Sequence, residues 1–178
     1  MLLGIVSDTH GWLHPRLLGS LRGVDMIVHA GDVGRAEVLD ALATVAPIRA
    51  VYGNVDGPPI RGRWPEWDRF NAGGLDVMVT HIAGRPGHWT TAVNQKLARE
   101  RPGLFICGHS HILQIERVDS PAPLLFVNPG AAGREGFHRV KTCVRLQVDN
   151  GRPVRADVVH LDEDEPGGAG GVGDGDGG

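Results

Sequence analysis

The residues of this chain best suited to chemistry fall in five places. They are Ser7-Asp8-Thr9-His10, Gly31-Asp32, Gly53-Asn54-Val55-Asp56, Thr80-His81 and Gly108-His109-Ser110-His111. The donors are carboxylate, imidazole and amide oxygen, with no thiolate among them. That set suits Mn, Fe, Zn or Co and argues against a cysteine-based structural zinc. In extended chain, residues i and i+2 point to one side. Asp8 with His10, and His109 with His111, are therefore read as pairs presenting two ligands to one small volume. Gly31, Gly53 and Gly108 are read as the points where the backbone turns sharply before the ligands. A single His or Asp is ordinarily structural; the ordered set is what points to metal.

Elements must bring these segments together. Each follows a short apolar run, at 2–6, 26–29, 48–52, 76–80 and 104–107. Helical spacing at 13–21, 36–43 and 90–100 separates several of them, the last stopped by Pro102. Short apolar runs alternating with helices predict buried, mainly parallel strands. Ligands in such sheets gather at the carboxyl ends of the strands, which is where all five segments lie. After residue 112 the pattern changes to strands at 112–118, 124–127, 140–148 and 154–160 without helices, predicting an antiparallel meander. The expected fold class is α/β, with two packed sheets.

The ordered series D-x-H, GD, GN-x-D, H and GH-x-H resembles the calcineurin-like metallophosphoesterase superfamily. The short chain and Asn128-Pro129-Gly130 resemble its small bacterial and archaeal phosphodiesterase branch, of which the retromer scaffold subunit is a fold relative. The resemblance spans roughly residues 1–160 and implies a two-sheet β-sandwich flanked by helices. It implies two divalent ions: Asp8, His10, Asp32 and His111 on one, Asp32, Asn54, His81 and His109 on the other, with Asp32 and a hydroxide bridging. Mn is favoured, with Zn, Fe, Co or Ni as alternatives. Asp32, Asn54 and His109 would act through the metals and by positioning phosphate. Two divalent ions outweigh two carboxylates and a hydroxide, so the loaded site attracts a phosphate anion and lowers the pKa of its water. Two departures stand out. Val55 occupies the third slot of GN-x-D, where many relatives carry a His that serves as candidate general acid. Ile82-Ala83-Gly84 follows His81 where small members often have Gly-His, which reshapes the pocket wall. The implied activity is phosphodiester hydrolysis. The alternatives are a phosphomonoesterase or nucleotide phosphatase, and a non-catalytic scaffold.

Other candidates carry less. Asp56 is read as orienting the Asn54 loop, and His29 as a buried hydrogen-bonding group. Arg134 and His138 are weak candidates for phosphate contact. His14, His88 and His160 are read as surface or turn residues. Cys107, Trp64 and Trp67 are read as packing. Ser110 lacks the Gly-x-Ser-x-Gly elbow of a nucleophile.

Length and composition bound the rest. With 178 residues, 41% of them hydrophobic, the chain suits one domain with a real core, placed at 1–165. No apolar run reaches the ~18 residues of a membrane span, and the segment 1–6 lacks the basic flank of a signal peptide. Two cysteines are too few for a disulfide scaffold. The expected compartment is the cytoplasm. Residues 162–178 hold six acids and no base, leaving a mildly basic body under a net charge of −3. That is not the basic stripe of a nucleic-acid binder. The expected partner is a small phosphoester, with no membrane and with homo-oligomerisation left open. Eight glycines in 166–178 predict a flexible acidic tail.

Overall fold

The computed structural model describes residues 1–136 and 139–162. His138, the boundary at 165 and the tail at 166–178 lie outside the described residues. In chain order the first elements are β1 (Leu2–Val6), α1 (Leu17–Ser20), β2 (Met26–His29), α2 (Ala36–Ala43), β3 (Ile48–Ala50) and α3 (Pro58–Arg61). There follow β4 (Trp67–Ala72), β5 (Leu75–Thr80), β6 (Gly84–Arg85), β7 (His88–Trp89) and α4 (Thr91–Glu100). The last are β8 (Leu104–Ile106), β9 (Leu113–Val118), β10 (Leu124–Pro129), β11 (Thr142–Asp149) and β12 (Arg152–His160).

Two five-stranded sheets form, ordered β12-β11-β1-β2-β3 and β4-β5-β8-β10-β9, beside a β6-β7 ribbon. Three neighbouring strands in each sheet run parallel: β1, β2 and β3 in the first, and β5, β8 and β10 in the second. Alternation of side chains decides what each strand packs on. Leu3, Ile5, Val77, Val79, Ile106, Val127 and Val144 meet between the sheets. Val6 and Ile27 face outward, onto Leu17 and Leu21 around α1 and Leu39 and Leu42 of α2. Met78, Phe105 and Phe126 face the other way, onto Val93 and Leu97 of α4. The result is the two-sheet sandwich flanked by helices that the sequence predicts.

Three expectations need correction. The late strands are not one meander: β9 and β10 pair antiparallel in the second sheet, while β11 crosses to the first and pairs with β1 and β12. All six residues of β10 are buried, so its apolar run carries no period from which a partner sheet could be read. The helical spacing at 13–21 closes a helix only at Leu17–Ser20, because Pro15 lacks a donor and Gly19 is a poor helix former. β4 forms over Trp67–Ala72, where the sequence marks no strand, while its Trp67 packs on the core as read. α4 behaves as predicted: the Thr90 side chain accepts the Val93 N–H at 3.3 Å, and Arg101 ends it in the left-handed region just before Pro102. Among the described residues, no helix is long and apolar enough to cross a membrane.

Candidate metal centre

The five segments converge beyond the carboxyl ends of β1, β2, β3, β5 and β8. Two groups form, Asp8 with His10 and His111, and Asp32 with His81 and His109; the donor atoms within each group lie within 4.8 Å of one another. His111 Nε2 lies 3.2 Å from Asp8 Oδ1 and 3.3 Å from His10 Nε2. His81 Nε2 lies 3.2 Å from Asp32 Oδ2. The groups adjoin: His10 Nε2 is 4.0 Å from Asp32 Oδ2, and His81 Nε2 is 3.9 Å from Asp8 Oδ1.

These donors fit divalent cations on their own geometry. Asp8 Oδ1 and His81 Nε2 are buried and make no hydrogen bond. Each buried unsatisfied group ordinarily costs ~1–3 kcal/mol, so both atoms need a partner of another kind. His81 Nδ1 donates to the Ala30 carbonyl at 2.8 Å. A carbonyl only accepts, so the proton of a neutral His81 sits on Nδ1 and the Nε2 lone pair faces the carboxylates. Without metal, protons take the cations' place. Burial disfavours an imidazolium at His81, but the Asp32 and Asp8 carboxylates and the Ala30 carbonyl outweigh it and raise the pKa above the ordinary value. The Asp8 carboxylate raises that of His111. Burial favours neutral Asp32, yet His81, the Val55 N–H and His10 hold its carboxyl below the usual range.

Residues 1–151 match the calcineurin-like phosphoesterase superfamily domain. The chain belongs to that superfamily. A probable metallophosphoesterase of Methanocaldococcus jannaschii is 41% identical over 139 residues, covering 74% of this chain and 68% of that protein. One from Methanothermobacter thermautotrophicus is 28% identical over 140 residues, covering 74% and 77%. Among solved structures, Vps29 of Entamoeba histolytica complexed with zinc superposes with a TM-score of 0.70 at 19% identity, covering 91% of this chain and 100% of that one. A predicted phosphoesterase of Streptococcus pneumoniae gives 0.66 at 23%, covering 93% of each.

The backbone of this calcineurin-like domain is strained where the donors sit. Seven non-glycine residues among those described have positive φ, and five are here: Asp8 at 54°, His10 at 48°, Asp32 at 51°, His109 at 68° and His111 at 57°. Such conformations cost ~1–3 kcal/mol each and concentrate at functional sites. This corrects the extended-chain reading of the i, i+2 pairs, since left-handed turns aim Asp8 and His10 together. The same turns send His109 and His111 to different groups. Gly31 does turn sharply, at φ 95°, and a Cβ there would lie 2.7 Å from the His81 ring. Gly53 and Gly108 serve close approach instead: their φ is ordinary, but a Cβ would collide with Asp32 at the first and with Ser7 at the second.

Buried polar groups hold the ligand loops. Asp56 accepts the N–H groups of Gly53 at 2.7 Å, Gly34 at 2.7 Å and Val33 at 3.2 Å, tying the Asn54 loop to the Asp32 loop. Asn128 donates to the Gly108 carbonyl at 2.8 Å and to Ser110 Oγ at 3.0 Å, and accepts the Gly130 N–H at 3.0 Å. Sequence reasoning used Asn128 only as part of a family mark. His29 accepts the Gly31 N–H at Nδ1 (3.3 Å), so its Nε2–H donates to Thr9 Oγ1 (3.0 Å), and Thr9 donates on to the Val33 carbonyl (3.0 Å). Asn54 is exposed and lines a cleft with His81.

The remaining candidates separate. The Arg134 guanidinium lies 5.7 Å from the centre of the Trp12 ring. His88 and His160 are exposed, but His14 is buried, against expectation; it accepts the Arg16 N–H at 3.1 Å and stacks edge-on to Trp12. Cys107 is packed in the core, and burial pushes its thiol up to about 12. Trp67 stacks on Phe105.

His29 makes a pH prediction. Burial lowers its pKa from 6.5 to about 4. The unfolded chain therefore takes up the proton first on acidification. The neutral ring's contribution is complete above pH 6.5 and is lost as pH falls towards 4, a change of about 3 kcal/mol. Urea unfolding of His29→Gln between those pH values is expected to lack this slope. A variant with the wild-type slope would show that another group titrates.

Proposed function

We propose that the chain hydrolyses a phosphodiester with two divalent cations, Mn favoured, held by Asp8, His10 and His111 on one side and by Asn54, His81 and His109 on the other, with Asp32 between. The single observation behind it is the pair of adjoining donor groups, whose buried Asp8 Oδ1 and His81 Nε2 have no hydrogen-bonding partner. When bound, such cations neutralise the phosphate and lower the pKa of a water so that hydroxide is available at neutral pH. The chain's own residues do the rest. His81 is locked by Ala30 with one nitrogen directed into the site. Asp56 and Asn128 fix the loops carrying Asn54 and His109. Asn54, exposed on the cleft that His81 also lines, would donate its amide N–H to a phosphate oxygen. The attacking oxygen forms a bond to phosphorus as the bond to the leaving oxygen breaks, and that oxygen needs a proton. Val55 cannot supply one.

The partner in this reading is a small anionic phosphoester in the cytoplasm; Arg134 is a secondary phosphate contact. The scaffold alternative draws on the Vps29 likeness. Five donor residues at positive φ and two buried donor atoms without a hydrogen-bond partner support the catalytic reading over the scaffold.

The test is a leaving-group series on Mn-loaded protein with aryl and alkyl diesters, monoesters and nucleotides. Activated aryl diesters are expected to be the best substrates and alkyl monoesters the slowest. Equal or higher kcat/KM on monoesters would contradict the diester reading. A positioned general acid contributes ~10²–10⁴-fold when the leaving group is poor. Val55→His is therefore expected to speed poor leaving groups far more than good ones, provided metal content is unchanged. Parallel plots of rate against leaving-group acidity would reject the missing-acid explanation.

A further inference from the structure

The rim of the donor site is apolar. Five large hydrophobic residues are well exposed among those described, and three of them directly follow donor residues: Val55 (53% exposed), Ile82 (43%) and Ile112 (67%) come after Asn54, His81 and His111.

One side of the rim opens into a cleft of about 500 Å³, within the range of small-molecule pockets. Asn54 and His81 stand at one part of its lining; Tyr52, Trp67, Ile82 and Val93 contribute apolar wall. The aromatic walls are fixed. Trp67 is backed by Phe105, with the rings 15° from parallel and 6.4 Å apart. Tyr52 lies under the Arg61 guanidinium at 4.6 Å. Arg61 is the cleft's cation, and it already donates to the carbonyls of Gly53, Asn54 and Asp56. It is thus a brace for the Asn54 loop rather than an anion anchor. Glu66, on the same wall and 3.4 Å from the Tyr52 hydroxyl, disfavours a second phosphate. The cleft is therefore suited to an uncharged, flat group, attached to a phosphate that stays with the donor residues.

We propose that this cleft is the binding subsite for an uncharged planar aromatic group carried on the substrate's phosphate. The proposal rests on the phosphoester reading above and narrows its substrate class to aromatic esters rather than nucleoside polyphosphates or small alkyl phosphates. Arg61 lies over the Tyr52 ring, and Phe105 and Lys96 lie against the Trp67 ring, so the gain comes from burial: packing one ring among Tyr52, Trp67, Ile82 and Val93 is expected to tighten binding by about tenfold or more.

The test compares phenylphosphonate with methylphosphonate, which carry the same anion with and without a ring and have no ester bond to cleave. Binding to Mn-loaded protein is measured by calorimetry and by competition against bis(p-nitrophenyl) phosphate turnover, at a pH where both ligands are dianions. Wild type is expected to prefer the phenyl compound by about tenfold or more. Ala92, exposed on α4, also lines the cleft. Ala92→Trp fills it and is expected to abolish the preference while leaving methylphosphonate within about twofold of its wild-type affinity. Ile82→Ser, which strips the lip without filling the cleft, is expected to reduce the preference by a few-fold and covers the case in which the tryptophan variant fails to fold. Equal binding of the two phosphonates to wild type would overturn the aromatic subsite and leave the phosphoester reading standing. So would a preference that survives Ala92→Trp at unchanged Tm. If neither phosphonate binds and no phosphoester is cleaved, both readings fall together.

Discussion

Asp32→Asn is expected to lower phosphoesterase kcat/KM by about 10³-fold or more, roughly 4 kcal/mol of barrier, while the metal-free protein keeps its fold. Asp32 stands between the two donor groups: its Oδ2 is 3.2 Å from His81 and 4.0 Å from His10, and its Oδ1 accepts the Val55 N–H at 3.0 Å. Asparagine has the same shape and preserves the Val55 hydrogen bond. Its amide nitrogen can turn to His81 Nε2 and donate to it, which satisfies that nitrogen but withdraws it from metal. The substitution thus removes one charge and two donor atoms without leaving a cavity. His88→Ala is the control, since His88 is exposed on the β6-β7 ribbon and is expected to be nearly silent. Metal content, far-UV circular dichroism and kcat/KM on an aryl diester should be measured for both. Similar small losses in the two variants would mean that Asp32 does not hold metal.

Removing divalent metal is expected to take activity below detection, and adding it back to restore it with a pH dependence set by the histidines. In the metal-free protein the pKa values of His81 and His111 lie above the ordinary 6.5, held there by Asp32 and Asp8. Cations must displace those protons, so apparent metal affinity falls as pH drops below the raised values and reaches its plateau above them. Stability of the metal-free protein runs the other way. The His81 contribution is fully present below 6.5 and is lost as pH rises through the raised folded value. The Asp32 contribution is present above 3.8 and is lost as pH falls through its lowered one. Chelator-treated protein should therefore lose stability above neutrality and regain it on adding Mn. Full activity in protein shown to be metal-free would dispose of the mechanism.

Much of this arrangement was legible because strand ends carry their own signal. β1, β2 and α2 form over the same residues that the apolar runs and helical spacing mark. Where each run stops, the next residues change from apolar to donor, and the parallel topology places those ends on one edge. The order of the motifs then supplied the resemblance. What escaped has identifiable causes. Trp67-Asp68-Arg69-Phe70-Asn71-Ala72 mixes charge with aromatic residues, so β4 was not read as a strand. The Gly73-Gly74 pair between it and β5 was the available hairpin signal. β10 and β11 could not be assigned to different sheets from apolarity alone. Positive φ at Asp8, His10, Asp32, His109 and His111 is set by the converging loops; Asp and His tolerate the left-handed region better than most residues, but that mild preference does not mark which of them adopt it. The burial of His14 depends on Trp12 and on Asp162, the latter remote in sequence. The bracing by Thr9, His29 and Asn128 likewise depends on loops distant in the chain.

The central claim is that Asp8, His10, His111 and Asp32, His81, His109 hold two cations side by side. Anomalous diffraction from crystals grown with Mn, collected above and below the metal edge, tests it most directly. The account predicts two anomalous peaks per chain, one in each donor group, with the Asp32 carboxylate between them. A single peak, or peaks elsewhere with these donors bound only to protons or water, would contradict it.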